Sequence, residues 1–150
     1  MKKHIKLSLL ALVLSAAVVN TSFAHNKEVS QAIKPSSAPA NASVYIISPQ
    51  DGSTVEETFA VTFGLQGMGV SPAGVEKSNT GHHHLLVDGK RLPVANKPMG
   101  GEVTHFGGGQ TQTEITLDKG EHTLQLILGD HRHIPHSPAV MSKKITITVK

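Results

Sequence analysis

The chain has 150 residues, with 14 Lys and Arg against 11 Asp and Glu, 10 histidines and no cysteine. That composition excludes disulfides, thiolate metal centres and cysteine nucleophiles. Lys2, Lys3 and Lys6 supply the whole basic excess, so the rest of the chain is near neutral and lacks the cationic footprint of a nucleic-acid or anionic-lipid binder.

Those three lysines open a targeting segment over residues 1–24. A short apolar run, 7–19, follows them, and Ser22-Phe23-Ala24 has the small-x-small pattern of a cleavage site. The run is shorter than the roughly 20 residues a spanning helix needs. The expectation is a cleaved signal peptide and an exported protein, periplasmic or secreted, with no membrane insertion afterwards. An uncleaved anchor is the alternative. Residues 25–42, rich in Ser, Pro, Ala and Asn, read as a flexible linker.

Residues 43–150 read as one all-β domain. Val44 and Ile46 start a strand that ends at Pro49-Gln50-Asp51-Gly52. Phe59, Val61, Phe63 and Leu65 mark one face of the next. His83, Leu85 and Val87 mark a third, closed by Asp88-Gly89. A short strand is expected at 91–95. Ile115 and Leu117 precede the turn Asp118-Lys119-Gly120. Leu124, Leu126 and Leu128 form a stripe, and Ile145, Ile147 and Val149 another, within a last strand over 141–149. Alternation with period two, broken by Gly, Asp and Pro turns, predicts an immunoglobulin-like antiparallel β-sandwich of about seven strands.

Reversal of direction at each connection places the tight turns at 88–90 and 118–120 at one end. The long connections at 66–82, 96–110 and 129–140 fall at the other. They carry His82, His105, His131, His133 and His136, with His83 and His84 at the start of the strand that follows. His122 falls at the opposite end. Loops at one end of a rigid sandwich are a common place for a binding site.

Imidazoles gathered without thiolates suit zinc or copper. In extended backbone, residues two apart point the same way, so His82 with His84, and His131 with His133, can each present a pair. His105 and His136 complete the candidate set. His83 shares parity with Leu85 and is a weaker candidate that can instead face the core. Met68, in Gly67-Met68-Gly69, is a weaker thioether candidate or a packing residue. Met141 reads as core, and Met99 as uncommitted. His25, the first residue after the expected cleavage, can chelate through its amine and ring. Asp130 is a candidate to orient a ligating ring. Metal affinity is expected to weaken as pH falls through about 6.5. The chain has no GxSxG or HExxH motif. Glu76, Glu102 and Asp130 are the carboxylates that a metallohydrolase would draw on.

Several of these segments resemble a family of small exported bacterial proteins, the DUF4399-like domains of unknown function. The resemblance rests on Gly67-Met68-Gly69-Val70-Ser71-Pro72-Ala73-Gly74-Val75 and Asn79-Thr80-Gly81-His82-His83-His84-Leu85-Leu86. It continues in His105-Phe106-Gly107-Gly108-Gly109-Gln110-Thr111, Gly120-Glu121-His122-Thr123-Leu124-Gln125-Leu126 and Leu128-Gly129-Asp130-His131 with Pro135-His136. It covers nearly all of residues 44–150. It implies an exported single β domain and supplies no activity, ligand or partner. The function expected from the residues is a binding module for copper or zinc, serving storage, delivery or sensing, with a periplasmic protein as a further candidate partner. A metal-free module that contacts a protein or the cell envelope is the alternative, and a metallohydrolase the third reading.

Overall fold

The computed structural model describes residues 34–150, so the expected signal peptide, His25 and the first part of the expected linker lie outside the described residues. Among the described residues nine strands occur in chain order: β1 Ser43–Ser48, β2 Thr54–Val55, β3 Thr58–Gln66, β4 Gly69–Val70, β5 Thr80–Val87, β6 Thr104–His105, β7 Gln112–Thr116, β8 Gly120–Gly129 and β9 Ile145–Val149. Among the described residues there is no helix. One sheet has the order β1-β3-β7. The other has the order β2-β9-β8-β5-β4, with β6 also paired to β5. The long pairings are antiparallel, and only the two-residue strands β2 and β4 run parallel to their neighbours. Separating the first, second and fourth long strands (β1, β3 and β7) from the third, fifth and sixth (β5, β8 and β9) is the immunoglobulin-like arrangement.

The core lies between the sheets. Val44, Phe59, Val61 and Phe63 from the smaller sheet meet Leu85, Leu124, Leu126, Leu128, Ile147 and Val149 from the larger. Period-two alternation delivers these side chains to one face, and burying each large apolar side chain contributes about 1.5–3 kcal/mol.

Strand β5 departs from simple alternation, because residues 81–86 are all buried. His83 and Leu85 face the core, whereas His82, His84 and Leu86 face outward. That outer face is covered in turn. Leu86 packs with Met99, Ile127 and Val103, and the turn after β8 closes the rest. Both faces are thus inside the protein, as in a central strand.

The remaining differences from expectation have local causes. No strand forms at 91–95, where Pro93 removes a ladder donor. Residues 88–103 instead run over the outer sheet face. The last strand is shorter than expected, and Met141 meets Ile127 only through an isolated bridge. Residues 36–42, expected as linker, dock on the domain. Ala38 is buried, Ser37 bridges Ser137, and the Ser36 hydroxyl donates to Asp130 Oδ2 over 2.9 Å.

Candidate metal centre

His82, His84, His105 and His133 each offer a ring nitrogen, and these nitrogens all lie within 4.8 Å of one another. Ring centroids are 4.4 Å apart for His105 and His133, 4.7 Å for His82 and His84, and 4.9 Å for His82 and His105. His82 Nε2 stands 3.1 Å from His133 Nδ1.

Three pieces of chain build this cluster. His82 and His84 are two apart on β5 and point the same way, as extended backbone requires. His105 on β6 is the direct cross-strand partner of His84. His133 arrives from a tight turn, in which the His133 N–H donates to the Asp130 carbonyl and the Asp130 N–H to the Ile134 carbonyl, both over 2.9 Å. The cluster therefore sits on the outer face of the larger sheet near the start of β5, rather than wholly in loops at the end of the sandwich.

Glycines make room for the rings. Gly129 lies opposite His82 across the β5–β8 pair. A Cβ there would stand 2.5 Å from His84 Cε1 and 2.8 Å from Met99 Cε. A Cβ on Gly107 would collide with the His105 ring. Neither glycine is distinguishable by composition alone. The position of Gly129 at the end of the Leu124-Leu126-Leu128 stripe is the one available sequence signal.

Burial governs the electrostatics. It lowers the His82 pKa to about 4, with the neighbouring His105 and His133 adding to the effect and Asp130 opposing it. Burial lowers that of His84 to about 3, helped by His82, His105 and His133. His105 is lowered too, by burial and then by His133. The rings of His82 and His84 are accordingly neutral at physiological pH, the state that ligates a metal. His82 Nδ1 and both ring nitrogens of His84 are buried with no hydrogen-bond partner among the described residues. Such orphans cost about 1–3 kcal/mol each. A cation bonded to one nitrogen of the His84 ring would relieve part of that cost. Four nitrogens at bonds of about 2.0–2.1 Å form a tetrahedral zinc site, and imidazole sets suit copper equally.

The other expected residues fall elsewhere. His131 lies outside the cluster. Its Nε2 is 4.0 Å from Glu76 Oε2, and it lines a polar cavity with Lys77 and Ser78. The two-apart rule does not hold for His131 and His133, because residues 130–134 form a turn and His133 has a φ of 64°. His136 is buried, and its ring nitrogens meet the carbonyls of Leu128 and Thr80, tying the end of β8 to the start of β5. His83 faces the core, with its ring centroid 5.2 Å from that of Phe63 and Nδ1 3.2 Å from the Gln110 carbonyl. Burial lowers its pKa against that bond. Met68 packs against the core. Met141, expected as core, is 37% exposed, because the chain enters β9 only at residue 145. His122 sits at the far end, where Nδ1 contacts Asp88 Oδ2 at 2.6 Å.

Asp130 touches no ring. Its Oδ1 accepts the N–H groups of Arg132 and Ile134, and its Oδ2 accepts the hydroxyl of Ser36. Burial opposes ionisation, yet these donors outweigh it and hold the carboxyl below its usual range. Asp130 therefore shapes the turn that presents His133.

Fold and site together define a small immunoglobulin-like β-sandwich with a histidine cluster that could hold a metal ion. The chain belongs to the family described as Domain of unknown function (DUF4399), whose model matches residues 61–150. No curated protein matches it. Among solved structures it is similar to an endo-β-1,4-mannanase from Thermotoga petrophila, with 18% identity over 73% of this chain and a TM-score of 0.44. It is also similar to fibronectin(III)-like modules of CbhA from Clostridium thermocellum, with 14% identity over 72% of this chain and a TM-score of 0.41. The matches span 20% of the mannanase chain and 45% of the module chain.

Proposed function

We propose that the protein is an exported binding module that holds one transition-metal ion, copper or zinc, between His82, His84, His105 and His133. One observation carries this reading: His84 is buried in the cluster with neither ring nitrogen partnered among the described residues. A ring placed only for packing would find at least one acceptor or donor. The donors are imidazoles with no thiolate among them, which fits both metals, and the His84 ring and the Met99 methyl converge beside Gly129, where a thioether within reach of the ion would favour copper(I). The export expected from residues 1–24 places the module where storage, delivery or sensing of such a metal is needed.

The test is titration of untagged protein with copper and with zinc, beside elemental analysis of protein taken from its own compartment. Sub-micromolar, one-to-one binding that raises the melting temperature is expected. Binding that survives His82→Ala with His84→Ala would remove this reading.

A metal-free interaction module has one observation in its favour. Leu92, Pro93, Ile127, Pro135 and Met141 line an apolar groove of about 180 Å³, and nearby Val94 is 63% exposed. An unchanged melting temperature with either metal would favour it.

A further inference from the structure

We propose that His105 is the exchangeable ligand of the quartet, the position through which a metal ion enters and leaves and at which a second donor takes its place. This inference rests on the metal-binding reading above.

The four rings are not equivalent. His82 and His84 are buried, His133 is half-buried, and His105 is exposed. The first two stand on β5, which is paired to β8 over residues 82–87. His133 is held by its turn and by the Met99 N–H, which donates to the His133 carbonyl over 2.9 Å. His105 belongs to a two-residue strand joined to β5 at only two register positions. Among the described residues nothing hydrogen-bonds its ring, whereas the N–H of the next residue, Phe106, donates to the His83 carbonyl over 3.1 Å. The backbone is thus anchored beside an exposed ring that no hydrogen bond holds. Exposed side chains change rotamer in picoseconds to nanoseconds, so His105 can leave without unfolding its strand.

When it leaves, three imidazoles remain with one open position, a set that accepts an outside donor. The chemistry of that donor is a neutral nitrogen or thioether ligand carried by the molecule that gives or takes the ion.

The experiment loads untagged protein with cobalt(II), whose visible bands report coordination. It compares the unaltered protein with His105→Gly, His105→Ala and His84→Gly. Both His105 variants are expected to retain cobalt, to release it to a chelator faster by on the order of tenfold, and to regain the unaltered spectrum when free imidazole is added. His84→Gly is expected to lose cobalt with or without imidazole. In the unaltered protein, added imidazole should speed release to the chelator. Cobalt binding without an imidazole response at position 105, or with equal rescue at position 84, overturns this inference alone. Failure of the unaltered protein to bind cobalt overturns this inference, and failure to bind copper and zinc as well overturns the metal reading together with it.

Discussion

Gly129 cedes its side-chain space to His84. The two residues sit on neighbouring strands, and the missing Cβ is where the imidazole edge and the methyl of Met99 converge. Gly129→Ala should therefore displace one or both. Overpacking of this kind costs about 1–3 kcal/mol, so urea unfolding should show a loss of that order together with weakened metal binding. Full retention of both would mean that the ring has slack the structure does not show.

His84→Leu has the opposite signature. Leucine fills a similar volume and removes two orphaned nitrogens. Replacing an unsatisfied buried polar group by an apolar one is neutral or stabilising. The metal-free variant should melt at or above the temperature of the parent, while the thermal shift caused by copper or zinc disappears. A metal-free variant less stable by more than about 2 kcal/mol would show that the ring makes favourable contacts of its own.

The response to pH follows from the directions of the shifts. His82 and His84 are depressed from 6.5 to about 4 and about 3. Between those values and 6.5 the unfolded chain takes up protons that the folded chain refuses, so the metal-free protein loses stability as pH falls below 6.5. His122 is raised, chiefly by its hydrogen bond to Asp88. Its contribution is complete below 6.5 and is lost as pH rises through its folded value. Imidazole resonances in an NMR titration should separate accordingly, with His122 titrating above 6.5 and His82 and His84 far below. Metal binding should persist to lower pH than free imidazole allows, rather than weakening through about 6.5. A His84 resonance that titrates near 6.5 would contradict the burial argument.

Asp130→Asn tests the turn. The amide keeps one acceptor oxygen and sets an N–H₂ group against donors now served by the other. Metal affinity should fall by roughly 10–100-fold, the range for groups that position a ligand without touching the ion. Asp88→Asn, at the other end of the sheet, is the control and should leave affinity unchanged. Equal effects from both would mean that general destabilisation is being measured.

Much of the fold is legible in the chain, for identifiable reasons. Phe59, Val61 and Phe63, and Leu124, Leu126 and Leu128, alternate without interruption, and the structure places both stripes in the core. The start of β5 is less legible, because His82 reads as the end of a loop although its backbone is in the ladder. The topological step that gathers His82, His84, His105 and His133 needs only strand order and turn lengths. What separates His131 from His133 is a left-handed backbone angle at His133, and such an angle has no signature in a histidine. Nor does the sequence reveal that Asp130 serves backbone N–H groups, since its donors become neighbours only once residues 130–134 have turned.

A chain without cysteine has no permanent cross-link available. Here four imidazoles from β5, β6 and the turn after β8 converge at one point, so an ion seated among them would rivet those stretches together, and the rivet could be withdrawn. Its loss should loosen that corner of the sandwich first, while the Leu126 side of the same sheet stays closed. Protease sensitivity around residues 96–109 would then report occupancy directly, without any spectroscopic probe.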